Sequence, residues 1–168
     1  FPRHTGQLPL YYSQKNTGRP GPSTDDVFWT HYTDSPNTPL YPFGFGLSYT
    51  EFDYSDITLS ANTIAVDESL EVSVTLTNSG QRDGVEIAQL YIRDLIGSIT
   101  RPVKELKGFE RVALKAGESK QVTFTLGPKT LGFYNSNGEY LVEAGDFEVF
   151  VGGDSDASVK ATFNATAD

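Results

Sequence analysis

Cysteine is absent from this 168-residue chain, so it has neither a disulfide framework nor a thiolate site, and its redox compartment is left open. Basic residues are scarce: 13 Lys and Arg stand against 22 Asp and Glu, for a net charge of -9. That balance argues against a nucleic-acid footprint or an anionic membrane partner and serves solubility instead. No window approaches 18 uninterrupted apolar residues and no basic-then-apolar leader opens the chain, so neither a membrane span nor an export signal is visible in it. Internal repeats and low-complexity tracts are missing as well. The length suits one ordinary domain with an appended segment, burying roughly 70% of its unfolded surface, and is too short for a large enzyme. A start at Phe1 rather than Met fits a fragment or a processed piece.

Imidazole is almost as scarce as thiol. His4 and His31 are the two histidines, and neither has a partner at metal-ligand spacing. There is no Ser-His-Asp grouping, zinc motif or phosphate-cradling loop; Gly44-Phe45-Gly46 lacks the further glycine and the strand-turn-helix setting of a dinucleotide site. The residues therefore nominate no catalytic, cofactor-binding or metal-binding set. Asp25-Asp26, Asp53, Asp56, Asp154 and Asp156 sit in turn-rich or strand-edge contexts, where carboxylates cap turns or face water; calcium binding is the functional alternative. Arg101, Lys104 and Glu105 read as an ion-pair cluster, worth about 0–1 kcal/mol if exposed. Asn164-Ala165-Thr166 fits the glycosylation pattern and is assigned no role.

What the chain does have is an aromatic strip, Leu40-Tyr41-Pro42-Phe43-Gly44-Phe45-Gly46-Leu47-Ser48-Tyr49-Thr50, with irregular sequence before it and strand-like sequence after it. In an extended conformation Tyr41, Phe43, Phe45, Leu47 and Tyr49 share one face, opposite a face of small residues. Five bulky side chains on one side require a cover, and the glycine side admits a close approach by other backbone. The strip packs either on its own domain or between two domains. Trp29, the one tryptophan, lies upstream with Phe28 and Tyr32; it either covers apolar surface at a domain junction or stacks on a sugar ring.

Before the strip, residues 1–39 carry six prolines and no sustained periodicity. Gln7 to Tyr12 reads as one short extended apolar strand without a partner. After the strip the pattern is all-β. Ser55–Ser60 and Thr63–Val66 are short strands, and Leu70, Val72, Val74 and Leu76 alternate with polar residues as a half-buried strand. Val85–Arg93 is apolar on both faces, which places it centrally with neighbours covering both sides. Leu106–Leu114 and Ser119–Leu126 flank Lys115-Ala116-Gly117-Glu118 and read as a hairpin; Leu131–Tyr134 and Tyr140–Glu143 flank an Asn-Gly turn and read as another. Strands at Phe147–Val151 and Val159–Asn164 complete the count, with the last closing the sheet and no helix required. About seven strands in this length predict a two-layer β-sandwich of the fibronectin type III or immunoglobulin-like kind behind a long irregular N-terminal segment.

Four stretches together resemble the C-terminal end of glycoside hydrolase family 3 enzymes, and periplasmic bacterial β-glucosidases in particular. They are Gly6 to Tyr12, Pro39 to Tyr49, Arg101-Pro102-Val103-Lys104-Glu105-Leu106-Lys107-Gly108-Phe109-Glu110, and Tyr140 to Gly152, with Ala144 where the family often has proline. The resemblance implies three parts: residues 1–12 as the end of an α/β sandwich domain, 13–52 as a linker with the aromatic tether, and 53–168 as a fibronectin III-like domain. It implies a parent enzyme that hydrolyses terminal β-glucosides with retention, through a carboxylate nucleophile and a carboxylic acid/base about 5–5.5 Å apart. No position in this chain matches that pair, so the chain is expected to be inactive alone. Its implied partners are the upstream catalytic domains, as a companion chain or removed, and through them a carbohydrate; its implied location is periplasmic or secreted. Tyr41, Phe43, Phe45, Leu47 and Trp29 are the candidate domain-interface residues, and Trp29 is also the candidate sugar contact. The alternatives are a stand-alone carbohydrate-binding module and a spacer or adhesion module.

Overall fold

The computed structural model describes residues 1–15 and 32–167. Trp29, His31, Asp25 and Asp26 lie outside the described residues. Eleven strands and one helical turn follow the strip: β1 (Phe52–Tyr54), β2 (Thr58–Leu59), β3 (Thr63–Ala65), β4 (Leu70–Asn78), β5 (Gly84–Asp94), β6 (Glu105–Leu114), β7 (Ser119–Leu126), α1 (Pro128–Leu131), β8 (Phe133–Tyr134), β9 (Tyr140–Leu141), β10 (Gly145–Gly152) and β11 (Val159–Thr166). Nine of the strands make two packed sheets, the β-sandwich that the alternation predicts, and β8 and β9 pair with each other. In the first, β4 is central; β7 pairs along it, and β1 and β2 also pair with it. The second runs β3-β11-β10-β5-β6.

The core lies between the sheets because each strand turns every second residue inward. Leu70, Val72, Val74 and Leu76 of β4 are buried while Glu71 and Thr75 are exposed, as period two requires. They join Ala88, Leu90 and Ile92 of β5, Val112 and Leu114 of β6, Val122 and Leu126 of β7, and Phe147, Val149 and Val151 of β10 in one cluster. Phe147 and Phe163 stack across β10 and β11 with ring centroids 5.2 Å apart.

Several expectations change. The predicted hairpin of β6 and β7 does not form: β6 pairs with β5, and β7 pairs with β4 from Leu70↔Leu126 to Thr77↔Ser119. The turn at Lys115–Glu118 therefore carries the chain from one sheet to the other. A turn between two alternating runs fits either a hairpin or this arch, and the two long neighbours β4 and β5 decide for the arch. Asn78 fixes it, since its backbone N–H donates to Glu118 O at 2.9 Å and its carbonyl accepts from Gly117 N at 2.9 Å. The second hairpin forms as expected, β8 against β9, with Gly138 at φ 79° in its turn. A four-residue helix, Pro128–Leu131, precedes it where none was required. Residues Gln7–Tyr12 make no strand. β5 is flanked on both edges as its composition demands, yet Val85 and Ile87 stay uncovered on one face. β11 does not close its sheet, because β3 pairs parallel to its outer edge.

Candidate domain interface

The strip at Tyr41–Thr50 is not one extended run. Phe45 N donates to Pro42 O at 3.2 Å, and Gly44 at φ 83° completes the turn between them. Phe43 O accepts from Ser155 N at 2.8 Å. The glycine is required twice over, by its backbone angle and by space: a Cβ at Gly44 would lie 2.1 Å from Gln89 Oε1. The close approach predicted for the glycine side is thus real at Gly44, but the neighbour is a side-chain amide. At Gly46 nothing lies within 4 Å.

Gln89 is the pin of this arrangement. It sits on the outer face of β5, 5% exposed, within Val85–Ile92, where Glu86 is the one charged residue. Its Nε2 donates to Gly44 O at 3.1 Å and to Gly153 O, and its Oε1 accepts from the Tyr91 hydroxyl at 2.5 Å. Tyr91 is fully buried, and that burial pushes its phenol well above the usual range. Beside it Lys104 donates to Ser155 O at 2.7 Å and Ala157 O at 2.9 Å, with its ammonium 4.3 Å from the Phe150 ring centre. Burial draws the Lys104 ammonium below its ordinary value, against the pull of Asp156, Asp154 and Glu148. Lys104 thus anchors the 153–157 loop to which the strip is bound, instead of joining the ion-pair cluster predicted for it.

That cluster is also more enclosed than an exposed one. Arg101 bonds Glu105 at 2.7 Å, lies 3.8 Å from Asp94 and packs 4.3 Å above the Phe133 ring. Burial raises the Asp94 carboxyl, with Arg101 opposing.

Residues 1–8 fold back on the start of the strip and the segment before it. Phe1 N donates to Tyr41 O at 2.7 Å, and Leu40 N donates to Phe1 O at 2.9 Å. Gln7, 7% exposed, accepts from Arg3 N at 2.7 Å and donates to Pro36 O at 3.1 Å. Further along, Val103 N donates to Gln14 O at 2.8 Å. Aromatic pairs bind the layer together: Tyr12 stacks on Phe43 at 4.1 Å, and Tyr41 meets Phe45 at 4.9 Å.

Four of the predicted interface residues are therefore gathered on one strap, and Trp29 lies outside the described residues. Tyr41, Phe43 and Phe45 are each a little under half exposed, whereas Leu47 and Tyr49 are 92% exposed. Among the described residues, the remaining candidate carboxylates lie in turns and on the surface. Asp154 Oδ1 accepts from Asp156 N at 2.9 Å, Asp53 stands exposed opposite Thr77 in the middle of the short edge strand β1, and Asn164 Nδ2 donates to Asp146 at 2.7 Å. His4 meets the Tyr32 ring edge to face at 6.1 Å. No group of three or more His, Cys, Asp or Glu is placed to hold a metal among the described residues. Gln89 was the residue sequence reasoning missed; its signal is an amide in the middle of a run that is otherwise almost wholly apolar.

The sandwich and its order of strands define a class, and the comparison with known families agrees: residues 86–155 match the fibronectin type III-like domain. A periplasmic β-glucosidase of Salmonella typhimurium is 49% identical over 92% of this chain and 20% of its own length. A putative β-xylosidase of Formosa agariphila is 41% identical over 96% of this chain and 20% of its own. Among solved structures, the β-glucosidase from Listeria innocua in complex with glucose superposes with a TM-score of 0.92 at 43% identity, over 99% of this chain and 23% of that one. The chain matches the C-terminal part of glycoside hydrolase family 3 β-glucosidases and β-xylosidases, the part that carries their fibronectin type III-like domain. It spans about a fifth of the length of the curated relatives it matches, so in them it is one part of a larger enzyme.

Proposed function

We propose that this chain packs against and stabilises the catalytic domains of a β-glucosidase-type hydrolase that cleaves terminal β-glucosides with retention, in the periplasm or outside the cell. Residues 1–12 are then the end of the preceding α/β sandwich domain, 13–52 the linker, and Tyr41, Phe43, Phe45 and Leu47 its contact with that domain, joined by Trp29. The observation that carries this reading is the strap itself. Its backbone is pinned to the sandwich by Gln89 and Ser155 while its bulky side chains stand half or fully open. Apolar surface held out in that way by fixed polar bonds is surface kept for a partner. Mixed with a separately produced upstream fragment, the chain should associate and restore or stabilise hydrolysis of an aryl β-glucoside. Absence of both association and rescue would sink the proposal. Because relatives named β-glucosidase and β-xylosidase both match, the assay includes the aryl β-xyloside, and the faster reaction identifies the sugar.

A further inference from the structure

We propose that the face this chain offers to the preceding domain of its own polypeptide is a composite, the strap forming one half and Val85, Ile87 and Phe109 on the outer side of β5 and β6 forming the other. The inference rests on the reading above that such a domain is the partner. On β5, Ala88, Leu90 and Ile92 point into the core, so Val85, Ile87, Gln89 and Tyr91 line the opposite face. Along that row exposure falls from 40% at Val85 and 39% at Ile87 to 5% at Gln89 and none at Tyr91. The strap covers the second pair and leaves the first open.

At its end it reaches the other, core-facing side of β5: a Cβ on Gly84, which shares the face of Ala88, would lie 2.5 Å from Thr50 Cγ2 and 3.1 Å from the Phe52 ring. The strap is thus held on the outer side of β5 at Gly44 and passes to its inner side at Thr50. Between these two points it carries Leu47 and Tyr49, each 92% exposed. Phe109 lies directly opposite Gln89 across the β5–β6 pair, on the same face, and is 69% exposed. Phe45 follows Gly44, which rests on Gln89, and Val85, Ile87 and Phe109 flank Gln89 on the same face, so the apolar area extends beyond the strap. Arg111, opposite Ile87 and exposed, makes no ion pair among the described residues. It is free to meet a carboxylate at that edge of the partner. A preceding domain fits better than a second copy of this chain, because the strap is the segment leading from that domain and a net charge of -9 repels a like chain.

The test uses the full polypeptide, with any cysteines of the preceding domains replaced by serine. This chain has no cysteine, so Phe45→Cys and Phe109→Cys each provide a single attachment point for a benzophenone maleimide, with Ile87→Cys as a second point on β5. After illumination, mass spectrometry should find both the strap label and the β5–β6 labels joined to peptides of the preceding domain, as the dominant cross-links by several-fold. If the Phe45 label reaches that domain and neither the Phe109 nor the Ile87 label does, the composite face is wrong and the strap reading stands. If none of them reaches it, both fall. A dominant product of twice the polypeptide mass from the Phe109 label would assign the face to a second copy and overturn the inference.

Discussion

At the scale of single residues, the joint between strap and sandwich depends on polar bonds inside apolar surroundings, where an unpaired group is costly. Gln89→Leu keeps the volume but strands the Tyr91 hydroxyl and removes a donor from Gly44 O and Gly153 O. We expect a loss of about 1–3 kcal/mol in urea denaturation; unchanged stability would show that water replaces the amide at no cost. Tyr91 adds a signature in pH. Its phenol titrates higher in the folded chain than the value of about 10 it has when unfolded. Above that pH the unfolded chain has released a proton the folded chain still holds, so the stability Tyr91 contributes is complete below it and declines as pH rises further. The decline approaches about 1.4 kcal/mol per pH unit. Tyr91→Phe should flatten the alkaline limb by that slope, whatever it does to stability at neutral pH through the lost bond to Gln89. An alkaline limb of unchanged slope would contradict the assigned shift.

At the scale of elements, the sequence specified which residues form strands far better than which strands meet. Alternation in Leu70–Leu76 follows from a physical period and appears unchanged in the burial of β4. The Asn-Gly turn of β8 and β9 was equally plain, because positive φ at Gly138 is a local demand. Partner choice is not local. β6 and β7 each alternate correctly and bury Val112, Leu114, Val122 and Leu126 in the core, as either a hairpin or an arch would require. Only the competition of β4 and β5 for the same edges separates the two, and no short window of sequence contains both. The strap failed for a related reason: strict alternation from Tyr41 to Tyr49 predicts one straight face, but the turn at Pro42–Phe45 is fixed by Gln89, far along the chain. The core that results should show the usual sensitivity. Leu76, fully buried in the middle of this cluster, should cost about 2–5 kcal/mol as Leu76→Ala, read from the shift of the urea midpoint. A smaller loss would mean that the site collapses around the missing atoms.

At the scale of the whole molecule, the sandwich is closed around its own core, while the strap and the β5–β6 face are open. The two kinds of apolar surface should respond differently to the same truncation. Phe45 is 43% exposed in this chain, so Phe45→Ala removes atoms that are only partly buried and should cost well under the about 3–5 kcal/mol of a fully buried phenylalanine. In the full polypeptide the proposed interface covers the same ring, and the cost should rise toward that range. Denaturing wild type and variant in both contexts gives two differences, and the second minus the first is the contribution of Phe45 to domain packing. The comparison does not depend on how the unfolded chain is treated, since the mutated residue and its local sequence are the same in both. Equal costs would mean that the ring meets no partner beyond Tyr41, and the strap would then be a decoration of one domain instead of the joint between two.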